Sequence, residues 1–184
     1  DALRILRGVR FASRYQLTPD AATEEAMRKL APTMENLAAE RVYSELCKLM
    51  LTATATDLLR YAPIITQVIP ELQASVNFQQ HSPHHAYDVF THTAHVVSAM
   101  PPDPALRLAA LLHDIGKPAV FYRDETGRGH FPDHAKVGAE MADAILQRLK
   151  APTQLREQAV LLIDRHMVKP EPDRKLLRRR VSQY

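Results

Sequence analysis

Apolar side chains recur along this chain every three or four residues, the spacing that places them on one side of a helix. In the first segment Leu3, Leu6 and Val9 share such a side, and Thr18 or Asp20 can cap the second. No segment alternates in the manner of a half-buried strand, and five glycines leave few hairpin signals. The pattern therefore predicts an all-α protein. Its predicted helices cover residues 1–14, 20–31, 38–51, 55–61, 63–69, 86–99, 104–115, 134–149 and 153–167.

The polar stretch from Gln79 to Pro83 interrupts this series of helices and has no clear periodicity. It is the best candidate for a linker, so we predict two modules, a small helical module at residues 1–78 and a helical bundle at residues 79–184. Inside the bundle, the glycines and acidic residues between positions 122 and 131 predict an exposed turn or a short hairpin.

Length and composition limit the classes of protein that the chain can belong to. With 184 residues and 46% hydrophobic content it can bury a core. No apolar run approaches the roughly 20 residues that a membrane span needs, and residues 1–25 lack a signal-peptide pattern, so we expect no membrane association and a cytoplasmic location. Cys47 is the only cysteine, which excludes an internal disulfide and a thiolate zinc cluster. The start at Asp1 suggests a piece of a longer protein.

Positive charge is concentrated at the two ends of the chain, although the formal net charge is only +3. Such clusters are either solvated helix faces or surfaces that meet nucleic-acid phosphates, and both interpretations stay open. The basic residues concerned are Arg4, Arg7, Arg10 and Arg14 at the start, and Arg174, Lys175, Arg178, Arg179 and Arg180 at the end.

The strongest chemical pattern is an adjacent imidazole and carboxylate, His113 and Asp114, at the end of an apolar helix. Gly116 follows and permits a helix stop. Adjacent helical residues point roughly 100° apart, so a cation between this helix and a neighbouring one can be reached by both side chains. His92, on a separate amphipathic helix, supplies that neighbour. Imidazole and carboxylate ligands suit a divalent transition metal, or magnesium with water in most positions. The alternative is an ordinary surface hydrogen bond.

The order of His92 and then the run His113-Asp114-Ile115-Gly116-Lys117 resembles the HD superfamily of metal-dependent phosphohydrolases. The resemblance implies a helical bundle around a metal, with His113, Asp114 and Lys117 as catalytic candidates. His134 and His166 are implied as ligands of a second metal position, whereas His130 is a weaker candidate that fits a loop. Lys117 is expected to contact a substrate phosphate, or else to be an exposed lysine at a helix end. Positional or surface roles are expected for His81, His84, His85 and His95.

The superfamily pattern closes with an aspartate on a later helix. Either Asp164 is that aspartate or the chain ends before the corresponding position. We favour truncation, in which case the site would lack a ligand and bind metal weakly.

A second resemblance covers the start of the chain. Residues 1–13 are similar to the segment that opens the neck of bacterial tRNA nucleotidyltransferases, the CCA-adding enzymes, and of the related poly(A) polymerases. It implies that Asp1 and Arg4, with Arg7, bind the incoming CTP or ATP, and that Asp1 and Arg4 are exposed while Leu3, Leu6 and Val9 face the core. In the segment that looks like the later neck motif, Arg41 and Glu45 would brace neighbouring helices or form a plain surface ion pair.

Together the resemblances identify the chain as the neck, residues 1–78, and the HD domain, residues 79–184, of a tRNA nucleotidyltransferase that adds CCA to tRNA 3′ ends. The phosphate loop and paired aspartates of the family's catalytic head do not occur in the sequence. The HD half is expected to bind Mg, Mn, Ni or Zn and to hydrolyse a small phosphoester. The alternatives are a free-standing HD nucleotide phosphohydrolase and an idle HD module that binds tRNA or dimerises, and a homodimer stays open.

Overall fold

The computed structural model describes residues 1–82 and 86–168 and confirms the all-α prediction. Within these residues the chain forms ten α-helices, two short 3₁₀ helices and one two-stranded hairpin. The α-helices are α1 (Leu3–Tyr15), α2 (Ala21–Leu30), α3 (Ala39–Met50), α4 (Ala55–Arg60), α5 (Ala62–Val68), α6 (Val89–Ala99), α7 (Pro104–Leu112), α8 (Lys117–Val120), α9 (His134–Arg148) and α10 (Thr153–Arg165). The 3₁₀ helices are Ala31–Asn36 and Pro70–Ser75, and the strands are β1 (Tyr122–Arg123) and β2 (Gly129–His130).

Helices α1 and α3 pack together in the first half of the chain. Leu3, Leu6 and Val9 are buried in this contact, with 1%, 0% and 0% of their surface exposed, as the periodicity predicts. Burial of these side chains supplies the hydrophobic stabilisation of the pair. The cap of α2 is Asp20, whose carboxylate accepts from the backbone N–H of Thr23 at 3.0 Å.

Two charged residues of α3 contact the first segment of the chain. The buried Glu45 carboxylate accepts from Arg10 Nε at 2.7 Å and from Arg7 Nε at 3.3 Å. Arg41 Nη2 donates to Asp1 Oδ2 at 2.7 Å. The predicted bracing is therefore confirmed for Glu45, whereas Arg41 forms an exposed ion pair with Asp1, which precedes α1.

The two halves of the chain share one continuous hydrophobic core. Arg107 of α7 is 8% exposed and joins them, because its guanidinium donates to the carbonyls of Met50 and Ala53, both at 2.9 Å, and also to that of Met100 at 2.9 Å. These bonds satisfy carbonyl groups that would otherwise be buried without a donor. The division at residues 78 and 79 stays a prediction.

The stretch proposed as a linker is partly packed in its described part, residues 79–82, where Gln79 and His81 are exposed. Gln80 is only 2% exposed, and its amide donates to the Tyr87 carbonyl at 3.0 Å. The backbone N–H of Gly129 donates to the carbonyl of His81 at 2.8 Å. Polar groups of this stretch thus find partners inside the fold, and its role as a linker stays a prediction.

In the second half, α10 packs on both α7 and α9, and α6 packs on α7. The predicted hairpin is present, with Tyr122 paired antiparallel to His130. Helix α7 ends at Leu112, three residues before the predicted end, so that His113 and Asp114 lie in the turn between α7 and α8. None of the described helices has the length and apolar content that crossing a membrane requires.

Gly116 has a different role from the predicted helix stop. Its φ of −75° is open to any residue. A Cβ atom at this position would lie 2.5 Å from the carbonyl oxygen of His134 and 2.7 Å from the backbone nitrogen of Gly138. Glycine is needed because the turn touches the backbone of α9. This close approach brings the first turn of α9 next to Asp114.

Candidate metal centre

The carboxylate of Asp114 lies at the centre of four imidazole rings. It is 2% exposed. Its Oδ2 atom is 3.2 Å from His113 Nε2 and 3.7 Å from His92 Nε2. Its Oδ1 atom is 3.5 Å from His134 Nε2 and 3.8 Å from His166 Nε2. Each carboxylate oxygen therefore faces its own pair of imidazoles.

These residues form two groups of three with a shared member. His92, His113 and Asp114 have ligand atoms within 4.8 Å of one another, and so do Asp114, His134 and His166. The chain brings them together from four places: α6 carries His92, the turn after α7 carries His113 and Asp114, α9 begins at His134, and His166 directly follows α10. All five candidate ligands from the sequence are thus adjacent, and their role as metal ligands stays a proposal.

Three of the imidazoles are held in a defined orientation. In His113, His134 and His166, the Nδ1 atom lies 2.8, 2.8 and 2.7 Å from the carbonyl oxygen of the residue three positions earlier. A carbonyl oxygen can only accept, so Nδ1 must carry the proton. In the neutral ring the Nε2 lone pair then points towards Asp114. Metal-binding histidines commonly have this second hydrogen bond, which fixes the ring and its tautomer.

Two contacts show that the residues present fit a divalent cation. Asp114 Oδ2 is ion-paired with Lys117 Nζ at 2.8 Å, but makes no hydrogen bond of acceptable geometry to any described residue. His134 Nε2 and His166 Nε2 approach to 3.2 Å, where two lone pairs would face each other. Either a proton or a cation can relieve this contact. Burial lowers the pKa of His166, which disfavours the proton.

Asp114 is ionised in this setting. Its burial opposes the charged form, but the neighbouring imidazole of His113 and the ammonium of Lys117 outweigh that effect and hold the pKa of the Asp114 carboxyl well below its usual range. An ionised carboxylate beside imidazole lone pairs is a donor set that suits divalent transition metals.

Lys117 is buried against Asp114, with 5% of its surface exposed. Its Nζ donates to Gln80 Oε1 at 2.8 Å and lies 5.2 Å from the centre of the Phe131 ring. The alternative of an exposed lysine at a helix end is therefore wrong. Contact with a substrate phosphate stays a prediction. Gln80 was not anticipated, because no motif marks a glutamine that becomes buried only through tertiary packing.

The remaining acidic and histidine candidates lie outside the two ligand groups. Asp164 is 41% exposed at its side chain and pairs with Arg165 at 3.1 Å. His130 lies in the hairpin beside Asp124, with Nε2 and Oδ2 2.6 Å apart, as expected for a loop residue. His81 and His95 are exposed, as predicted. His84, His85 and any acid after residue 168 lie outside the described residues.

An apolar cavity of about 400 Å³ adjoins the metal-binding candidates. His113 and His166 form part of its wall, so a molecule bound there would touch the imidazoles directly. The cavity lies among α6, α7 and α10, and its other lining residues include Val96, Met100, Leu106, Leu162 and Arg165.

The residues proposed to bind nucleotides lie on α1 and directly before it. Asp1 and Arg4 are exposed, as predicted, and Asp1 is held by Arg41. Arg7 is also exposed, although its Nε contacts Glu45. Their nucleotide contacts stay a prediction.

Two family models match parts of the chain. Residues 84–182, more than half of the chain, match the HD domain family. Residues 16–75 match the family described as "Probable RNA and SrmB- binding site of polymerase A".

The chain is also similar to named tRNA enzymes. It is 36% identical to the A-adding tRNA nucleotidyltransferase of Deinococcus radiodurans, over 94% of this chain and 43% of the relative. It is 39% identical to the CC-adding tRNA nucleotidyltransferase of Thermus thermophilus, over 97% and 44%, respectively. It is 34% identical to the multifunctional CCA protein of Halorhodospira halophila, over 91% and 42%. The chain thus spans less than half the length of these relatives. With its histidines and Asp114 arranged as described, the chain belongs to the HD domain family.

Proposed function

We propose that the HD half of the chain is a metal-dependent phosphohydrolase. The observation that carries this proposal is the buried Asp114 carboxylate, which faces two pairs of imidazoles, with three of the rings fixed by their Nδ1 hydrogen bonds. A structural hydrogen-bond network would not need to aim several Nε2 lone pairs at one carboxylate. A metal site does need this arrangement.

The candidate residues comprise metal ligands and one lysine that positions a ligand. His92, His113 and Asp114 would hold one divalent ion, and His134 and His166 would hold a second one with the other Asp114 oxygen. Imidazole-rich sites favour Ni or Zn over Mg, and Mn is the further candidate to test. The bound metal supplies Lewis acidity towards a phosphoryl oxygen and towards water. Lys117 keeps the Asp114 carboxylate in place, and its charge favours the ionised form.

The adjoining cavity supports a small phosphoester as the substrate. Its wall is largely apolar and leads to His113 and His166. An aryl or nucleoside group could occupy it while the phosphate meets the imidazoles and Asp114. Aryl phosphates and 2′,3′-cyclic nucleotides are therefore the substrates to test first.

We expect the purified chain to hydrolyse an aryl phosphate slowly when Mn²⁺, Ni²⁺ or Zn²⁺ is added. Asp114→Ala should reduce that rate at least about 100-fold, because both ligand groups lose the residue that they share. The release of the aryl product measures the rate. His95→Ala is the matched control, because His95 lies on α6 with His92 but is exposed and belongs to neither group. Equal rates in the wild type and Asp114→Ala would contradict the proposal.

A second function is supported by the relatives named as tRNA nucleotidyltransferases and by the RNA-binding family match over residues 16–75. We infer that the chain works in CCA addition to tRNA as part of a longer protein, with CTP and ATP contacted by Asp1, Arg4 and Arg7. An Arg4→Ala variant of such a protein should choose less accurately between CTP and ATP, which incorporation assays on tRNA can measure. Unchanged choice would refute the role of Arg4.

The alternative of an idle HD module makes a different prediction. A chain that binds RNA but takes up no divalent metal would favour it. The cytoplasmic location and the homodimer stay predictions.

A further inference from the structure

Gln80 is a buried polar side chain beside the candidate metal centre, and neither ligand group includes it. Its Oε1 atom accepts from Lys117 Nζ at 2.8 Å, and its Nε2 atom donates to the carbonyl of Tyr87 at 3.0 Å. An ammonium group can only donate and a carbonyl oxygen can only accept, so these two bonds determine which end of the amide is oxygen and which is nitrogen. Both ends of the amide are thus bound inside the fold.

The two partners of this amide belong to the two parts of the chain that carry one ligand group. We call the two ligand groups the first group, His92, His113 and Asp114, and the second group, Asp114, His134 and His166. Tyr87 lies two residues before α6, the helix that carries His92. Lys117 begins α8 and contacts Asp114 in the preceding turn. Gln80 therefore connects the two elements that supply the first group.

The ammonium of Lys117 lies beside Asp114 without occupying its lone pairs. Lys117 Nζ is 2.8 Å from Asp114 Oδ2, but this contact lacks the geometry of a hydrogen bond. The ammonium donates instead to Gln80, and the centre of the Phe131 ring lies 5.2 Å from Nζ. The Oδ2 atom can therefore still bind a cation, while the charge of Lys117 favours the ionised carboxylate.

The backbone around Gln80 is held by the hairpin and by α6. The N–H of Gly129 donates to the carbonyl of His81 at 2.8 Å. A Cβ atom at Gly129 would lie only 2.2 Å from the carbonyl oxygen of Gln80, so the two backbones are in close contact. The carbonyl of Phe78 accepts from the N–H of Val89, the first residue of α6, at 3.0 Å. An amide anchored in this way can hold an ammonium group in one place.

We propose that Gln80 is a positioning residue of the first group. Its amide holds the Lys117 ammonium beside Asp114 in an orientation that leaves Oδ2 open to a divalent ion. This inference rests on the proposed metal-dependent function of the HD half. Without the amide, an N–H of Lys117 is expected to turn to Oδ2, because a buried donor needs an acceptor and this oxygen is 2.8 Å away. The ammonium would then compete with the metal for the same oxygen.

Gln80→Met tests this role, because methionine has a similar length and its thioether is at most a weak acceptor. Zn²⁺ is the probe, and isothermal titration measures its affinity. In a His134→Ala chain, which retains the first group, Gln80→Met should lower the affinity about tenfold or more, the range for residues that orient metal ligands. In a His92→Ala chain, which retains the second group, the loss should be much smaller, since the ammonium contacts the oxygen that faces the first group.

The contact between amide and ammonium can also be observed without metal. A proton–nitrogen correlation spectrum of the lysine side chains detects the Lys117 ammonium, and the signal that Lys117→Met removes is its own. Gln80→Met should shift or broaden this signal. Gln79→Met is the matched control, because Gln79 is the neighbouring glutamine but is exposed, and it should change neither the signal nor the zinc affinity.

A combination of variants shows whether Gln80 acts through the lysine. In a Lys117→Met chain, Gln80→Met should not lower the zinc affinity further, because the group that it positions is already absent. An equal loss of affinity with and without Lys117 would overturn the proposal. Circular dichroism shows which variants are folded.

The zinc titrations separate this inference from the proposed function. If folded Gln80→Met binds zinc as tightly as its parent in the His134→Ala background, the positioning role is wrong and the metal centre stands. Equal losses in the His134→Ala and His92→Ala backgrounds would make Gln80 a residue that stabilises the fold as a whole, which also overturns the proposal. If the wild-type chain binds no zinc at all, the metal centre itself is rejected, and the positioning role with it.

Discussion

Replacing Asp114 with asparagine is expected to abolish divalent metal binding by the chain, with a loss of affinity of at least about 100-fold, because even residues that only orient metal ligands contribute about 10- to 100-fold. Asp114 is the one residue that both ligand groups share. The amide keeps the shape of the side chain but has neither its charge nor a second carboxylate oxygen. Isothermal titration with Mn²⁺ or Zn²⁺ measures the affinity and the number of ions bound.

Two further variants make that result specific. His134→Ala removes a member of one group only, so it should weaken the second position and leave binding by His92, His113 and Asp114. His130→Ala is the control, because His130 also pairs with an aspartate but lies in the hairpin, outside both groups. Since Asp114→Asn leaves the buried Lys117 without its counter-charge, circular dichroism must show that the variant is folded. A folded Asp114→Asn protein with wild-type affinity would contradict the assignment.

Gly116→Ala is expected to destabilise the protein by about 3 kcal/mol or more, at the upper end of overpacking effects. The added methyl group would lie 2.5 Å from the carbonyl oxygen of His134 and 2.7 Å from the nitrogen of Gly138. Both are backbone atoms, so a side-chain rotation cannot relieve the clash. Helix α9 must move away, and His134 must move with it. Urea denaturation measures the loss of stability, and metal titration should show the second ligand group weakened.

Gly8→Ala is the matched control for this substitution. Gly8 lies within α1, and a methyl group there meets only the flexible end of Met27, at 3.1 Å. The gain in helix propensity from glycine to alanine is about 1 kcal/mol, so this variant should be as stable as the wild type or more so. If Gly116→Ala unfolds at the same urea concentration as Gly8→Ala, the close approach of the turn to α9 is not what requires glycine.

The helices could be predicted from the sequence because their signal is local. The buried side of α1 repeats every three or four residues, and that repeat does not depend on what the helix packs against. The end of α7 was predicted less well. It is determined by the turn that carries His113 and Asp114, and Gly116 at that turn is required by a helix that begins 18 residues later in the chain.

The candidate site could likewise be predicted only where its signal is local in the sequence. The pattern of His92, His113 and Asp114 could be found in the sequence because two of the residues are adjacent and the family resemblance supplies the third. The surroundings of Lys117 could not be found in this way. Its burial and its bond to Gln80 arise only when residues 37 positions apart meet in the folded chain. A charged residue that follows a helix end is exposed in most proteins, and no local pattern distinguishes this one.

Binding of a divalent ion at Asp114 is tested most directly by anomalous X-ray scattering from crystals of the chain grown with Zn²⁺. We expect an anomalous peak about 2.0–2.2 Å from an Asp114 oxygen and from the Nε2 atoms of His92 and His113, with a second peak where His134 and His166 meet the other oxygen. A zinc peak coordinated by other residues, or none at Asp114 with saturating zinc, would contradict the assignment of Asp114 as a metal ligand.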